Sequence, residues 1–188
     1  QNIALKKINS LYKKENVVLF KGVTSSGKTE IYITLISKLL KSNNQVLYLV
    51  PEIALTTQLV ERLKVYFSDH LVVYHSGLNI NQRAELWNDL ILSDKPKIII
   101  GARSAIFLPY NNLKLIIVDE EHEQTYKQYE PSPRYHARDS SLVLANIHNS
   151  KVLLGSATPS IESFYNCDES KKFALVEFKS YSNACSKM

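Results

Sequence analysis

The sequence predicts an α/β domain built on a mostly parallel sheet with helices on both faces. Three observations predict it. Short apolar runs rich in Val, Ile and Leu recur along the 188 residues, and runs that do not alternate with polar residues mark strands buried on both faces. Segments with helical spacing separate them, and strand–helix alternation implies parallel crossovers. Four of the five glycines, Gly22, Gly77, Gly101 and Gly155, fall at or just past the end of an apolar run. That is the edge at which open α/β sheets bind ligands, although turns use glycine for other reasons too.

In chain order, the first strand is expected over Val17–Phe20. A helix over Thr29–Leu40 follows, with Ile33, Ile36, Leu39 and Leu40 on its apolar face. The next strand is Val46–Val50, closed by Pro51, and the next helix Leu55–Phe67. Leu71–Tyr74 then precedes a helix over Gln82–Leu92. Strands over Lys97–Ile100 and Lys114–Val118 come next, then a helix over Ala137–His148 and a strand over Lys151–Leu154. Phe173–Phe178 is a candidate for one more strand. After about Glu169 the periodicity fades, and a loose tail is expected.

The bulk numbers fit one domain with a sizeable core. Hydrophobic residues make up 45% and charged residues 22%, an ordinary soluble globular composition. A net charge of +5 mildly favours a polyanionic partner. Two cysteines, Cys167 and Cys185, do not make a disulfide scaffold or a C-x-x-C pair, so a reduced, cytoplasmic setting and no zinc in this chain are expected. No apolar run approaches the ~20 residues needed to span a bilayer, and the start has no signal-peptide pattern. Met188 is the only methionine, so the chain is expected to be a piece of a longer protein.

The most specific signal is "KGVTSSGKTEIY". Gly22-Val23-Thr24-Ser25-Ser26-Gly27-Lys28-Thr29 matches G-x-x-x-x-G-K-[ST] between a strand and a helix, the context the phosphate-binding loop requires. The loop's N–H groups form an anion nest, and the positive end of the helix dipole points at it. Lys28 is expected to reach the β- and γ-phosphates of ATP, and the Thr29 hydroxyl to hold Mg²⁺. A second strand must then end in a carboxylate for the metal, and "LIIVDEEH" supplies one. Asp119 is expected on the metal side, and Glu120 is expected to orient the attacking water. A helix N-terminal acid pair is the structural alternative. Glu121 and His122 read either as relays of the γ-phosphate state or as ordinary surface polar residues.

Weaker signals sit on the same edge. In "VPEIALTTQL", Thr56 suits a phosphate-backbone contact and equally a helix N-cap. In "IGARSAIF", Arg103 and Ser104 are candidates for nucleic-acid contact. In "LGSATPS", Ser156 and Thr158 are too, with ordinary turn chemistry as the alternative. The segment after the acids, "HEQTYKQYEPSPRYHARD", crowds tyrosines and basic residues together, which suits base stacking and phosphate contact.

GVTSSGKT, DEEH and GSAT resemble motifs I, II and III of superfamily 2 helicases. "LVPEIALTTQL", "YHSGL", "GARSAIFLP", "DEEHEQTYKQ", "PRYHARD" and "GSATPSIES" look like the primosomal replication-restart helicases, over nearly the whole chain. The resemblance implies a RecA-like P-loop NTPase lobe, the first motor lobe of an ATP-dependent helicase moving 3′ to 5′ on DNA. It gives Lys28 and Thr29 the phosphate and Mg²⁺ roles, Asp119 and Glu120 the metal and water roles, and Gln1 an adenine contact. It implies that Tyr126, Lys127, Arg134, Tyr135 and Arg138 lie in an aromatic-rich loop coupling single-stranded DNA to hydrolysis. The extra Tyr129 and the "EPSP" spacing depart from the family's usual form. Partners implied are single-stranded and fork DNA, a second motor lobe carrying the arginine finger, a zinc module, an N-terminal DNA-binding region and other replication-restart proteins, with no membrane. An RNA helicase or double-strand translocase lobe, and a nucleotide-gated binding module, are the alternatives.

Overall fold

The computed structural model describes residues 1–23, 26–40, 42–93, 95–168 and 172–178. Among them seven strands form one sheet: β1 (Val17–Gly22), β2 (Gln45–Leu49), β3 (Leu71–Tyr74), β4 (Lys97–Gly101), β5 (Leu113–Val118), β8 (Lys151–Ser156) and β9 (Ala174–Phe178). Their order is β3-β4-β2-β5-β8-β1-β9, and every pairing is parallel. All strand C-termini therefore share one edge. A two-stranded antiparallel ribbon, β6 (Lys127–Gln128) and β7 (Tyr135–His136), stands apart.

The central strands β2 and β4 are buried along their whole length, as continuously apolar runs require. The sheet divides the core in two. On one face α1 (Asn2–Leu11), α2 (Lys28–Leu39) and α3 (Thr57–Phe67) pack Leu5, Ile8, Ile31, Ile36, Leu63 and Phe67. On the other, α4 (Ile80–Leu92) and α5 (Ala137–His148) contribute Leu90 and Ala145. The final helix, α6 (Ile161–Asp168), packs against β1. Chain direction explains the partition. Moving from β1 to β2 to β3 runs one way across the sheet and returning through β4, β5 and β8 runs the other, so right-handed crossovers place the helices on opposite faces.

Element ends follow local chemistry. The helix expected from Leu55 begins at Thr57, because residues Glu52–Ala54 form a 3-10 turn and Thr56 Oγ1 accepts from Leu59 N–H. The helix expected from Gln82 begins at Ile80, because Asn79 and Gln82 make a reciprocal capping box. Helices α1 and α6 extend the pattern beyond the expected elements. The strand expected over Phe173–Phe178 is Ala174–Phe178, paired with β1. Residues 169–171 and 179–188, where a loose tail was expected, lie outside the described residues, as does Cys185.

Candidate active site

The end of β1 and the start of α2 frame the phosphate loop. Gly27 caps α2 with φ of 87°, a left-handed conformation that glycine adopts without Cβ strain. Lys28 is the first helical residue and is buried. Its Nζ donates to the Gly22 carbonyl at 3.0 Å and lies 3.2 Å from Glu120 Oε1. Thr29 is half-buried in the first turn, Val23 is exposed, and Thr24 and Ser25 lie outside the described residues. Ser26 Oγ is buried with no hydrogen-bond partner. A Cβ added at Gly22 would come within 3.0 Å of that oxygen and 3.3 Å of Lys28 Cγ. A close-walled cradle with an orphaned hydroxyl and a buried ammonium fits a phosphate chain. Gln1 caps α1, and its side-chain amide nitrogen would lie 2.7 Å from a Cβ at Gly27, so it sits against the loop.

The acids follow β5, two strands away from β1. Asp119 N–H donates to the Leu49 carbonyl at 2.9 Å, and Glu121 N–H donates to the Gly155 carbonyl at 3.0 Å. The acidic turn is thus stitched to the ends of β2 and β8. Glu120 between these anchors has φ of 45°, an uncommon conformation for a side-chain-bearing residue. Asp119 accepts from the Tyr32 hydroxyl at 3.0 Å and the Tyr48 hydroxyl at 3.1 Å. Its proton affinity is raised above the ordinary carboxylate range, first by burial and then by the Glu120 charge. The Tyr32 hydrogen bond, Lys28 and the Tyr48 hydrogen bond pull the other way. No group of three or more His, Cys, Asp or Glu among the described residues could hold a metal. An Mg²⁺ ion at Asp119 would have to draw its other ligands from phosphate, water and a hydroxyl such as that of Thr29, a division this ion favours.

Glu121 is fully buried. It accepts from Arg138 Nη1 at 3.2 Å, Ser160 N–H at 2.8 Å, Ser160 Oγ at 3.0 Å and Ser163 Oγ at 2.8 Å. His122 Nδ1 lies 2.8 Å from Ser156 Oγ, and its Nε2 lies 3.4 Å from Thr158 Oγ1. The DEEH turn is therefore bonded directly to the GSAT turn at the end of β8.

Residues 1–166 match the family described as DEAD/DEAH box helicase. The chain belongs to the DEAD/DEAH box helicase family. Among curated proteins, the replication restart protein PriA of Haemophilus influenzae is 52% identical over 169 residues, covering 90% of this chain and 23% of that protein. PriA of Bacillus subtilis is 47% identical over 151 residues, covering 80% of this chain and 18% of the relative. The chain thus spans about a fifth of the length of these relatives. The E. coli DExH-box NTPase HrpB shares the fold at TM-score 0.67 and 14% identity, covering 95% of this chain and 21% of its own. The Mycobacterium smegmatis helicase Lhr does so at TM-score 0.64 and 18% identity, covering 94% and 25%. The fold is a RecA-like helicase lobe, as the motifs imply.

Within this DEAD/DEAH box lobe, the expected nucleic-acid residues divide. Arg103, Lys127, Tyr129, Glu130 and Arg134 line one open basic pocket, and Tyr135 joins Lys127, Tyr129 and Arg134 in its neighbour. Lys127 Nζ lies over the Tyr129 ring at 4.7 Å, and the ring is exposed. Tyr135 is half-buried, packed edge-on against Phe107 at 4.7 Å between ring centres. Arg103 Nη1 donates to the Thr125 carbonyl at 3.2 Å. Thr56 and Ser104 line a separate groove with Glu52, His75 and Ser76. Thr56 is the N-cap of α3. Thr158 is exposed beside His122.

Three of the expected nucleic-acid residues are buried in this lobe. Tyr126 is 1% exposed and its hydroxyl donates to the Asp119 carbonyl at 2.6 Å, so neither ring face can receive a base. Arg138 is buried and bound to Glu121, Asp139 and Ser160, so its guanidinium is not offered to a phosphate backbone. Ser156 is fully buried against His122. All three connect the acidic turn to its surroundings. Tyr32 and Tyr48 were missed altogether. Their signal was a tyrosine on the Lys28 face of α2 and another inside an aliphatic strand, since a buried phenol needs a partner for its hydroxyl.

Proposed function

We propose that the chain is the ATP-binding motor lobe of an ATP-dependent 3′-to-5′ DNA helicase acting in replication restart. One observation carries this reading: Lys28 Nζ at 3.2 Å from Glu120 Oε1, at the mouth of the phosphate loop and beside Asp119. An ammonium, a metal-side carboxylate and a second carboxylate converge from two strand ends, as phosphoryl transfer to water requires. The PriA relatives, named as replication restart proteins, support the biological setting. The Lhr structure, which is bound to ssDNA and AMP-PNP, supports the ligand classes. The direction of movement rests on the motif resemblance.

In this mechanism the loop N–H groups and the α2 dipole hold the triphosphate. Lys28 exchanges Glu120 for the γ-phosphate, whose greater charge attracts it more strongly. Released from the ammonium, Glu120 orients the attacking water. Asp119 and Thr29 would hold Mg²⁺, which would supply charge neutralisation to the triphosphate. The basic, aromatic ribbon carrying Lys127, Tyr129, Arg134 and Tyr135 takes single-stranded or fork DNA. The second motor lobe, zinc module, N-terminal DNA-binding region, other restart proteins and a cytoplasmic location belong to the same proposal. Among the described residues, no helix is long and apolar enough to cross a membrane.

The test is Glu120→Gln in the full-length protein. Nucleotide binding is expected to persist, while hydrolysis and strand separation fall by about 10²–10⁴-fold, the usual contribution of a general base. Strand separation that survives the loss of hydrolysis would leave a nucleotide-gated binding module instead. Stimulation of hydrolysis by RNA rather than DNA would place the lobe in an RNA helicase.

A further inference from the structure

Two buried phenols converge on one carboxylate. Tyr32, on α2, and Tyr48, inside β2, are both fully buried. Their rings meet edge to face at 5.6 Å. Tyr32 Oη donates to Asp119 Oδ1 at 3.0 Å, and Tyr48 Oη donates to Oδ2 at 3.1 Å. Glu120 N–H also donates to Oδ1, at 3.1 Å. A carboxylate offers about four lone-pair sites, two on each oxygen. Oδ1 has both in use, and Oδ2 has one remaining.

Core filling does not account for the hydroxyls. Phenylalanine at either position would fill the same space and need no partner, and a buried hydroxyl gains little over a well-packed apolar group. The surroundings are also shaped around the Tyr32 hydroxyl. A Cβ at Gly155 would overlap that oxygen, and would lie 3.4 Å from Asp119 Oδ1. Two separate elements, α2 and β2, thus bring hydroxyl donors to this side chain, and the Gly155 backbone of β8 leaves room for one of them.

We propose that Tyr32 and Tyr48 are positioning residues that lock the Asp119 carboxylate in one orientation and leave a single acceptor site on Oδ2 for Mg²⁺ or one of its waters. This rests on Asp119 being the metal-side acid. Partners that orient a metal ligand typically contribute 10–100-fold in metal affinity, because a ligand already in place has no rotamer freedom left to lose.

The experiment uses the full-length protein, its Tyr32→Phe and Tyr48→Phe variants, and the double variant. Mg²⁺ is titrated against binding of a fluorescent ATP analogue, and Mn²⁺ binding in the presence of ADP is read by electron paramagnetic resonance. The double variant is expected to need about 10–100-fold more Mg²⁺ for half-saturation. Each single variant needs less than that, and affinity for the nucleotide in EDTA stays as in the parent. Variants that bind Mg²⁺ and Mn²⁺ like the parent would overturn the proposal alone. So would an equal loss with and without metal, which means general damage to the loop. A parent protein with no metal-dependent binding would overturn the assignment of Asp119 itself. Should the double variant fail to fold, Tyr48→Phe decides the matter by the same readout.

Discussion

Arg138 Nη1 lies 3.2 Å from Glu121 Oε2, an ion pair sealed from solvent between the acidic turn and the start of α5. Seventeen positions separate the two in sequence, and the intervening segment carries the basic, aromatic ribbon. Its other end is tied as well, by the Tyr126 hydroxyl on the Asp119 carbonyl. The ribbon is a closed excursion whose two feet rest on the acids. Under the proposed function, a displacement of the ribbon by nucleic acid would pull on the turn that carries Asp119 and Glu120.

Removing one partner of that pair leaves the other charge buried and alone. Arg138→Met is expected to destabilise the lobe by about 3–5 kcal/mol. The double variant Arg138→Met/Glu121→Gln should recover part of the loss. Denaturant unfolding of the full-length protein, followed through the lobe's transition, measures both. Additive losses would mean the pair does not act as a unit.

Tyr129 offers an exposed ring with a cation on one side, whereas Tyr126 is sealed in the core. Tyr129→Ala is expected to weaken single-stranded DNA binding by about 1–3 kcal/mol, the usual worth of one stacked base. Tyr135→Ala is expected to lower DNA stimulation of hydrolysis, because Tyr135 sits on the ribbon and braces Phe107. Fluorescence anisotropy with a labelled oligonucleotide reads the first, and steady-state hydrolysis with and without DNA reads the second. Parent-like stimulation in Tyr135→Ala would refute coupling through this residue.

Burial raises the proton affinity of Asp119 in the folded protein. For a group with a raised folded-state pKa, the favourable contribution is complete below the unfolded value and is lost as pH rises through the folded one. The ionised carboxylate thus works against the nucleotide-free fold at neutral pH. Asp119→Asn is expected to raise the melting temperature without nucleotide near pH 8, with a smaller gain near pH 4. Adding Mg²⁺ and ATP analogue should stabilise the parent and not the variant. Scanning calorimetry at both pH values provides the check.

Gly155 has no room for a side chain beside the Tyr32 hydroxyl. Gly155→Ala is expected to cost about 1–3 kcal/mol through overpacking. Tyr32→Phe in the same protein should relieve part of it by removing the clashing oxygen. Thermal melts of the two single variants and the double variant test the coupling, and purely additive losses would contradict it.

The sequence by itself determined the sheet, its edge and the phosphate loop. Parallel strands buried on both faces must be continuously apolar, so β2, β4 and β8 stood out within a residue or two of their ends. The phosphate loop was legible because its glycines, lysine and hydroxyl act within eight consecutive positions. Helix α1 carried a readable period in Leu5, Ile8 and Leu11, yet it stands before the first strand, where strand–helix alternation says nothing.

Only the tertiary structure decided which side chains of the DEEH segment face inward. A run such as "EQTYKQYEPSPRYHARD" has no single period, because it leaves the sheet, turns in a two-stranded ribbon and returns. Burial there depends on what the fold brings alongside. Asp119 meets Tyr32 and Tyr48, which stand 87 and 71 positions away, and Glu121 meets Ser160 and Ser163 across 39 and 42 positions. Hydrogen bonds between elements so distant in sequence leave no local signature. Tyr126 and Arg138, which composition alone would assign to DNA, were therefore placed among the supports of the acids by packing.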